Sequence, residues 1–151
     1  MVAKLTIIRY DAAMFDHCLY FNTTALARQL EKEWTTAFAP LSLTPPQAFM
    51  LRAILERPGL LQREIAESMV IARPTATRTL DGLAAKGLIE RNSSTRDGRE
   101  QTIQPTAAAL GIRAALNDAG AKVTRKLKKK LGEETFNDTV AKVRGIRSAL
   151  K

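Results

Sequence analysis

The stretch Leu61–Gln104, LQREIAESMVIARPTATRTLDGLAAKGLIERNSSTRDGREQTIQ, decides the fold. Two short helical patterns meet at a tight turn, and a strand, a polar loop and a second strand follow. In Gln62–Met69, Ile65 and Met69 share one face at an i, i+4 spacing with Ala66 beside them. Val70-Ile71 is expected to form an apolar corner. Arg73-Pro74-Thr75 opens the second helix, because proline suits the first helical position, where its missing N–H leaves no bond unmade. At about 100° per residue that helix buries Ala76, Leu80 and Leu83. Arg78 lies opposite, flanked by Thr75 and Thr77. A cation and small hydroxyls on a free helix face are what a major-groove reader uses, for base edges and phosphates respectively. Arg73, at the helix start, is placed to grip phosphate.

Lys86-Gly87 closes this helix with a cation in its last turn and glycine at the expected left-handed position. Leu88-Ile89 and Thr102-Ile103 fit two short antiparallel strands. Between them Asn92–Arg99 is a polar hairpin tip, with Asp97-Gly98 as its turn signal. A protruding hairpin carrying Ser93, Arg96 and Arg99 can reach a narrow minor groove, whose negative potential attracts arginine. Asp97 would be repelled by phosphates and is expected to hold the wing by a charge-assisted hydrogen bond. The pattern reads as a winged helix-turn-helix with Arg73, Thr75, Thr77, Arg78, Ser93, Arg96 and Arg99 facing DNA. The plain alternative for the helical residues is a solvated face on a three-helix domain.

Leu80-x-x-Leu83-x-x-Lys86-Gly87-Leu88-Ile89-x-Arg91, with Asp97-x-Arg99, Thr106 and the Arg73-Pro74-Thr75 opening, resembles the MarR family of transcriptional regulators. The likeness is strongest over residues 44–106. Pro105 departs from the apolar residue usual before the threonine, and Ala109 from a usual glycine. Both departures affect how the next helix starts rather than how DNA is contacted. The resemblance implies a homodimeric regulator of bacterial or archaeal type, and two-fold symmetry predicts an inverted-repeat operator. It also implies repression released by a small phenolic or aromatic acid, bound between dimerisation helices and the DNA module. Trp34, Phe38, Phe49 and Met50 are candidate walls of such a pocket, with a core role as the alternative. Some members sense hydroperoxides with a cysteine near Cys18, although Tyr20 aligns with the sensing position.

The flanks are helical. Phe15, Leu19, Leu26, Leu30, Trp34 and Phe38 recur at three- and four-residue steps from Asp11 to about Phe38, interrupted by Asn22. Thr44 caps a helix that runs to about Arg57 before Pro58-Gly59. Pro105-Thr106 opens another through Leu110, Ala114, Leu116, Val123 and Leu127. Leu131-Gly132 breaks it, and Phe136, Val140, Val143, Ile146 and Leu150 mark a last amphipathic helix. The expected architecture is mainly α with a small β-hairpin wing: a single MarR-like domain over 1–151. Within it, 11–38 is an N-terminal dimerisation helix, 44–104 the winged helix-turn-helix and 105–151 the C-terminal dimerisation helices. Residues 1–10 read as an arm or frayed start.

At 151 residues, with 45% hydrophobic and 26% charged side chains, the chain can bury a core without staples. A single cysteine allows no internal disulfide and suits a reducing cytoplasm. No apolar run is long enough for a membrane span. The net charge of +9 favours a polyanionic partner, here double-stranded DNA. Yet residues 100–151 hold 11 basic and 5 acidic side chains, so much of the surplus lies outside the DNA module. The Lys126–Lys130 block reads as a solvated helix end.

Cys18 is expected as a buried, inert thiol; a redox switch is the rival reading. No metal or cofactor is expected, since one histidine and one cysteine build no zinc centre. No phosphate-binding glycine loop, serine nucleophile elbow or recognisable carboxylate pair suggests an enzyme. A winged helix that docks proteins without reading DNA is the alternative from another class.

Overall fold

The computed structural model describes residues 12–93 and 100–151. The hairpin-tip residues Arg96, Asp97 and Arg99, the Asp97-Gly98 turn and the N-terminal arm lie outside the described residues. The chain divides into two compact units, Met1–Lys32 and Glu33–Lys151. In order, the elements are a 3-10 turn at Ala12–Phe15, α1 (Leu19–Phe38), a 3-10 turn at Ala39–Leu41, α2 (Pro45–Glu56), β1 (Leu60–Leu61), α3 (Gln62–Met69), α4 (Arg73–Ala85), β2 (Ile89–Ser93), β3 (Gln101–Pro105), α5 (Ala107–Leu131) and α6 (Glu133–Ala149). The protein is mainly α with a small antiparallel sheet, as expected.

In the first unit, helix begins at Leu19 rather than near Asp11. The reason is Asn22, whose side-chain amide donates to the carbonyls of Phe15 (3.3 Å), Asp16 (2.9 Å) and Cys18 (2.9 Å). Those carbonyls find their partner in a side chain, so the chain can turn before the first helical bond forms.

The core of the second unit is apolar. Phe38, Met50, Leu51, Ile54, Ile65, Leu80, Leu83, Ile103 and Leu116 are fully enclosed. The expected α4 stripe of Ala76, Leu80 and Leu83 is buried in full. On α5 the expected stripe is displaced: Ala109, Leu116, Gly120 and Val123 are buried, whereas Leu110 is 55% exposed and Ala114 faces out. Gly120, inside that helix, sits within the packed face.

Thr44 caps α2 in a reciprocal box: its hydroxyl accepts from Gln47 N–H at 3.4 Å, and Gln47 Oε1 accepts from Thr44 N–H at 3.2 Å. Gly87 takes the left-handed backbone expected of it, φ 69°. Thr106 joins the module to α5. Its hydroxyl donates to Gly87 O at 2.7 Å and accepts from Ala109 N–H at 3.3 Å.

A strand that the sequence reading missed completes the sheet, in the order β1-β3-β2. β1 is two residues long, and Leu60 lies opposite Ile103 while Leu61 lies opposite Thr102. Such a strand has too few residues to show alternation, and its existence depends on β3 being there to pair with.

Candidate nucleic-acid interface

The site is built on the turn between α3 and α4. Val70 ends α3 with φ 55° and ψ 47°, and its N–H donates to Glu67 O at 3.1 Å. It is therefore not part of an apolar corner: its side chain is 46% exposed, and only Ile71 packs against the core. The left-handed backbone at Val70 swings the chain away from the α3 axis and points the start of α4 outward.

Along α4, Arg73, Thr75 and Arg78 are exposed and Ala76, Leu80 and Leu83 are not. Burial of one stripe thus presents the opposite face to solvent, with Arg78 on it, while Arg73 is exposed at the start of the helix. Among the described residues neither arginine is paired with a carboxylate. Ala72, the N-cap, makes no side-chain cap bond, and the first turn holds no acidic residue. The start of α4 therefore presents backbone N–H groups and the positive end of the helix dipole without a side-chain cap or an acidic residue in its first turn.

Thr77 stands differently from its neighbours. It is half-buried, accepts from Gln62 Nε2 at 2.7 Å and donates to Arg73 O at 3.0 Å. Its hydroxyl is engaged in fixing α3 against α4. Ser93 is exposed at the outer end of β2, opposite Gln101 on β3.

Several contacts near the interface were not foreseen from sequence. Arg91, on β2, lies with Nη2 2.7 Å from Asp81 Oδ1 on α4. Gln47 Oε1 accepts from Lys86 Nζ at 2.9 Å, and Lys86 also donates to the Ser42 carbonyl. Arg63 pairs with Glu100 beside a cleft that Arg73 also lines. Each contact joins residues far apart in sequence, so no local pattern could have announced it.

Of the four candidate pocket residues, Trp34, Phe38 and Phe49 form an aromatic cluster and Met50 lies in the core. Trp34 lies 5.5 Å from Phe38 and 4.9 Å from Phe49, ring centre to ring centre. Phe38 and Met50 have no exposed surface, while Trp34 and Phe49 are half-buried. Arg52 sits over the Phe49 ring at 5.9 Å and donates through Nε to Asn117 Oδ1 at 3.2 Å. Along α1 and α5 runs a separate groove of about 410 Å³, walled by Ala37, Leu41, Ala115 and Ala119.

Cys18 is exposed, not buried as expected: it precedes α1, and its Sγ accepts from Phe21 N–H at 3.5 Å. In the C-terminal block, Lys126 pairs with Glu33 at 2.6 Å and Lys128 with Glu133 at 2.8 Å. Both lysines are thus engaged in surface ion pairs, while Lys129 and Lys130 are solvated. No described helix is long and apolar enough to cross a membrane.

Comparison with known proteins agrees with this geometry. Residues 41–100 match the model of the MarR family. The chain is 30% identical over 92 residues to the transcriptional regulator HosA of Escherichia coli O157:H7, covering 61% of this chain and 68% of HosA. It is 28% identical over 95 residues to YybA, an uncharacterized HTH-type transcriptional regulator of Bacillus subtilis strain 168. That match spans 63% of each chain, a little under two thirds of YybA. Among solved structures, the transcriptional repressor CouR bound to a 23-mer DNA duplex is 27% identical, with a TM-score of 0.76 over 87% of this chain and 93% of that one. CouR bound to p-coumaroyl-CoA superposes with a TM-score of 0.83 over 91% and 97%, at 22% identity. These relatives are regulators, not enzymes, and the chain belongs to the MarR family of transcriptional regulators.

Proposed function

We propose that this protein is a sequence-specific, homodimeric DNA-binding repressor that acts in the cytoplasm and is released from its operator by a small acid. The observation that carries the reading is the two-sided α4: one stripe is locked in the core, Thr75 and Arg78 stand on the exposed side and Arg73 at the helix start, and neither arginine has a carboxylate partner among the described residues. Side chains near the start of a recognition helix are the ones that meet base edges in a major groove. Ser93, Arg96 and Arg99 would extend contact to the adjacent minor groove, and Asp97 would hold the wing.

The division of labour follows from exposure. Residues 44–104 carry the DNA face, while 11–38 and 105–151 form the dimerisation region. α6 buries no residue within its own chain, and Val140, Val143 and Ile146 are each more than 40% exposed. An apolar stripe of that kind is covered by a second copy in a symmetric dimer, which also sets the two recognition helices on an inverted repeat.

For the effector, the half-buried aromatic pair Trp34 and Phe49 supplies a surface for a flat acid, and Arg52 supplies the counter-charge. The CouR relative, seen with p-coumaroyl-CoA, supports an aromatic acid or its thioester. Such a ligand releases DNA only to the extent that it binds the two half-site spacings with different affinity.

Selection from a random duplex pool at two salt concentrations tests the reading. An enriched inverted repeat that Arg78→Ala protein no longer selects is the expected result. Sequence-blind binding that only weakens with salt would leave charge as the sole determinant, and the protein-docking alternative would take its place.

A further inference from the structure

A polar cleft of about 320 Å³ opens between the start of α4 and the base of the wing, with Arg63, Arg73 and Glu100 on its walls. The sheet register explains how these residues meet. Leu60 faces Ile103 and Leu61 faces Thr102, so the first turn of α3, which starts at Gln62 and carries Arg63, follows β1 directly beside the start of β3, which Glu100 precedes. The two side chains form an ion pair there, with 53% and 33% of their surfaces exposed. Glu64, the neighbouring carboxylate, is turned away: its Oε2 accepts from Leu61 N–H at 2.8 Å and caps α3. Arg73 stands across the cleft at the first position of α4, whose leading N–H groups have no side-chain cap. The cleft therefore has two guanidiniums, an uncapped helix start and one carboxylate that neutralises half of the side-chain cation.

We propose that this cleft is a clamp for a DNA backbone phosphate, and that Glu100 is its internal competitor. In the free protein Arg63 is held by Glu100. On DNA the guanidinium passes to a phosphate, which matches the planar, two-pronged donor as the carboxylate does and adds the field of the neighbouring phosphates and the release of their counterions. Arg73 approaches the same phosphate from the opposite wall. Glu100 thereby lowers affinity for all duplexes alike, which leaves a larger share of discrimination to the base-reading face of α4. This inference rests on the DNA-binding reading above and adds to it the regulation of backbone affinity.

The test is anisotropy titration of the full chain with a random-sequence duplex of about 30 base pairs, between about 50 and 200 mM salt. Glu100→Gln is expected to bind about three- to tenfold more tightly than the parent at the low-salt end. Arg63→Ala is expected to bind more weakly, with a log–log salt slope shallower by about 0.9. In the Arg63→Ala background, Glu100→Gln should recover less than half of its gain. A folded Glu100→Gln protein that binds no more tightly than the parent overturns the proposal and leaves the pair as a strap between α3 and β3. Should that variant not fold, Arg63→Gln decides, and parental affinity and slope in it overturn the clamp. If the parent binds duplex in an Arg78-dependent way while these variants change nothing, only the clamp falls. If the parent binds no duplex at all, the DNA reading falls and the clamp with it.

Discussion

Asp81 on α4 lies 2.7 Å from the Nη2 of Arg91 on β2, so the recognition helix is tied to the root of the wing. The contact is one of charge: Arg91 Nη2 and Nε are buried and make no hydrogen bond of proper geometry. Asp81 is 56% exposed and the Arg91 side chain 25%, so solvent screens the pair in part. Its removal still strands a guanidinium that water reaches poorly. Asp81→Asn should cost about 1 kcal/mol in urea unfolding, whereas Arg91→Met, which removes the unsatisfied group with its charge, should cost less. The reverse order would mean that Arg91 is held by something other than Asp81.

Val70 is a β-branched residue in a left-handed conformation, φ 55°. Such a residue brings Cβ against the following carbonyl, at a cost of about 1–2 kcal/mol. Little packing compensates, because the side chain is 46% exposed. Val70→Gly should therefore stabilise the protein by about 0.5–1 kcal/mol after allowing for the greater freedom of glycine in the unfolded chain. A fall in melting temperature would show that the exposed valine makes a contact worth more than the strain.

How much of this was legible in sequence depends on the range of the interaction. The stripe on α4, the Thr44 cap and the Gly87 turn rest on residues within one or two helical turns, and they were read correctly. Val70 was misread because nothing local marks a left-handed position when glycine is missing from it. β1 and the Arg63–Glu100 pair need the register of β3, set about forty residues downstream. Leu110 stands with Leu116 and Val123 among the apolar residues of the helix after the wing, yet the helix phase fixed by Leu116, Gly120 and Val123 turns it outward. Among the DNA-facing candidates, sequence periodicity grouped Thr77 with Thr75 and Arg78, and only the Gln62 contact separates its role.

Gly82 makes room for Gln47: a Cβ on residue 82 would lie 2.6 Å from Gln47 Nε2. That amide is the far end of a flexible side chain, but Gln47 also closes the Thr44 cap and accepts from Lys86. Gly82→Ala gains about 1 kcal/mol of helix propensity and loses a cap and a hydrogen bond worth about 1 kcal/mol each. The net effect should be destabilisation by about 1 kcal/mol. In a Gln47→Ala background the same substitution should instead stabilise by about 1 kcal/mol. Equal effects in both backgrounds would remove Gln47 from the account.

Arg73 and Arg78 should fail in different ways on DNA. Arg73→Ala, at the helix start, is expected to weaken binding to all sequences alike and to make the log–log salt slope shallower by about 0.9. Arg78→Ala, in the middle of the exposed face, should cost about 1–3 kcal/mol on the selected operator and relax preference at one base position. Competition titrations with operator and scrambled duplexes separate the two outcomes. An Arg78→Ala protein that loses operator and scrambled binding equally would move Arg78 to the backbone.

α6 allows the dimer to be tested without harming the protomer. Its 17 residues include none that is buried, and Val143 and Ile146 are 48% and 42% exposed. A charge at either position therefore meets no core within the chain, but it would be forced into an apolar interface between two copies. Val143→Glu with Ile146→Glu should sediment as a monomer with unchanged helix content. Its operator affinity should fall at least tenfold, because the second half-site is no longer bound at the high effective concentration that linkage provides. A variant that unfolds would show that α6 is needed within the protomer. One that remains dimeric and binds the operator as before would place the subunit contact on another surface.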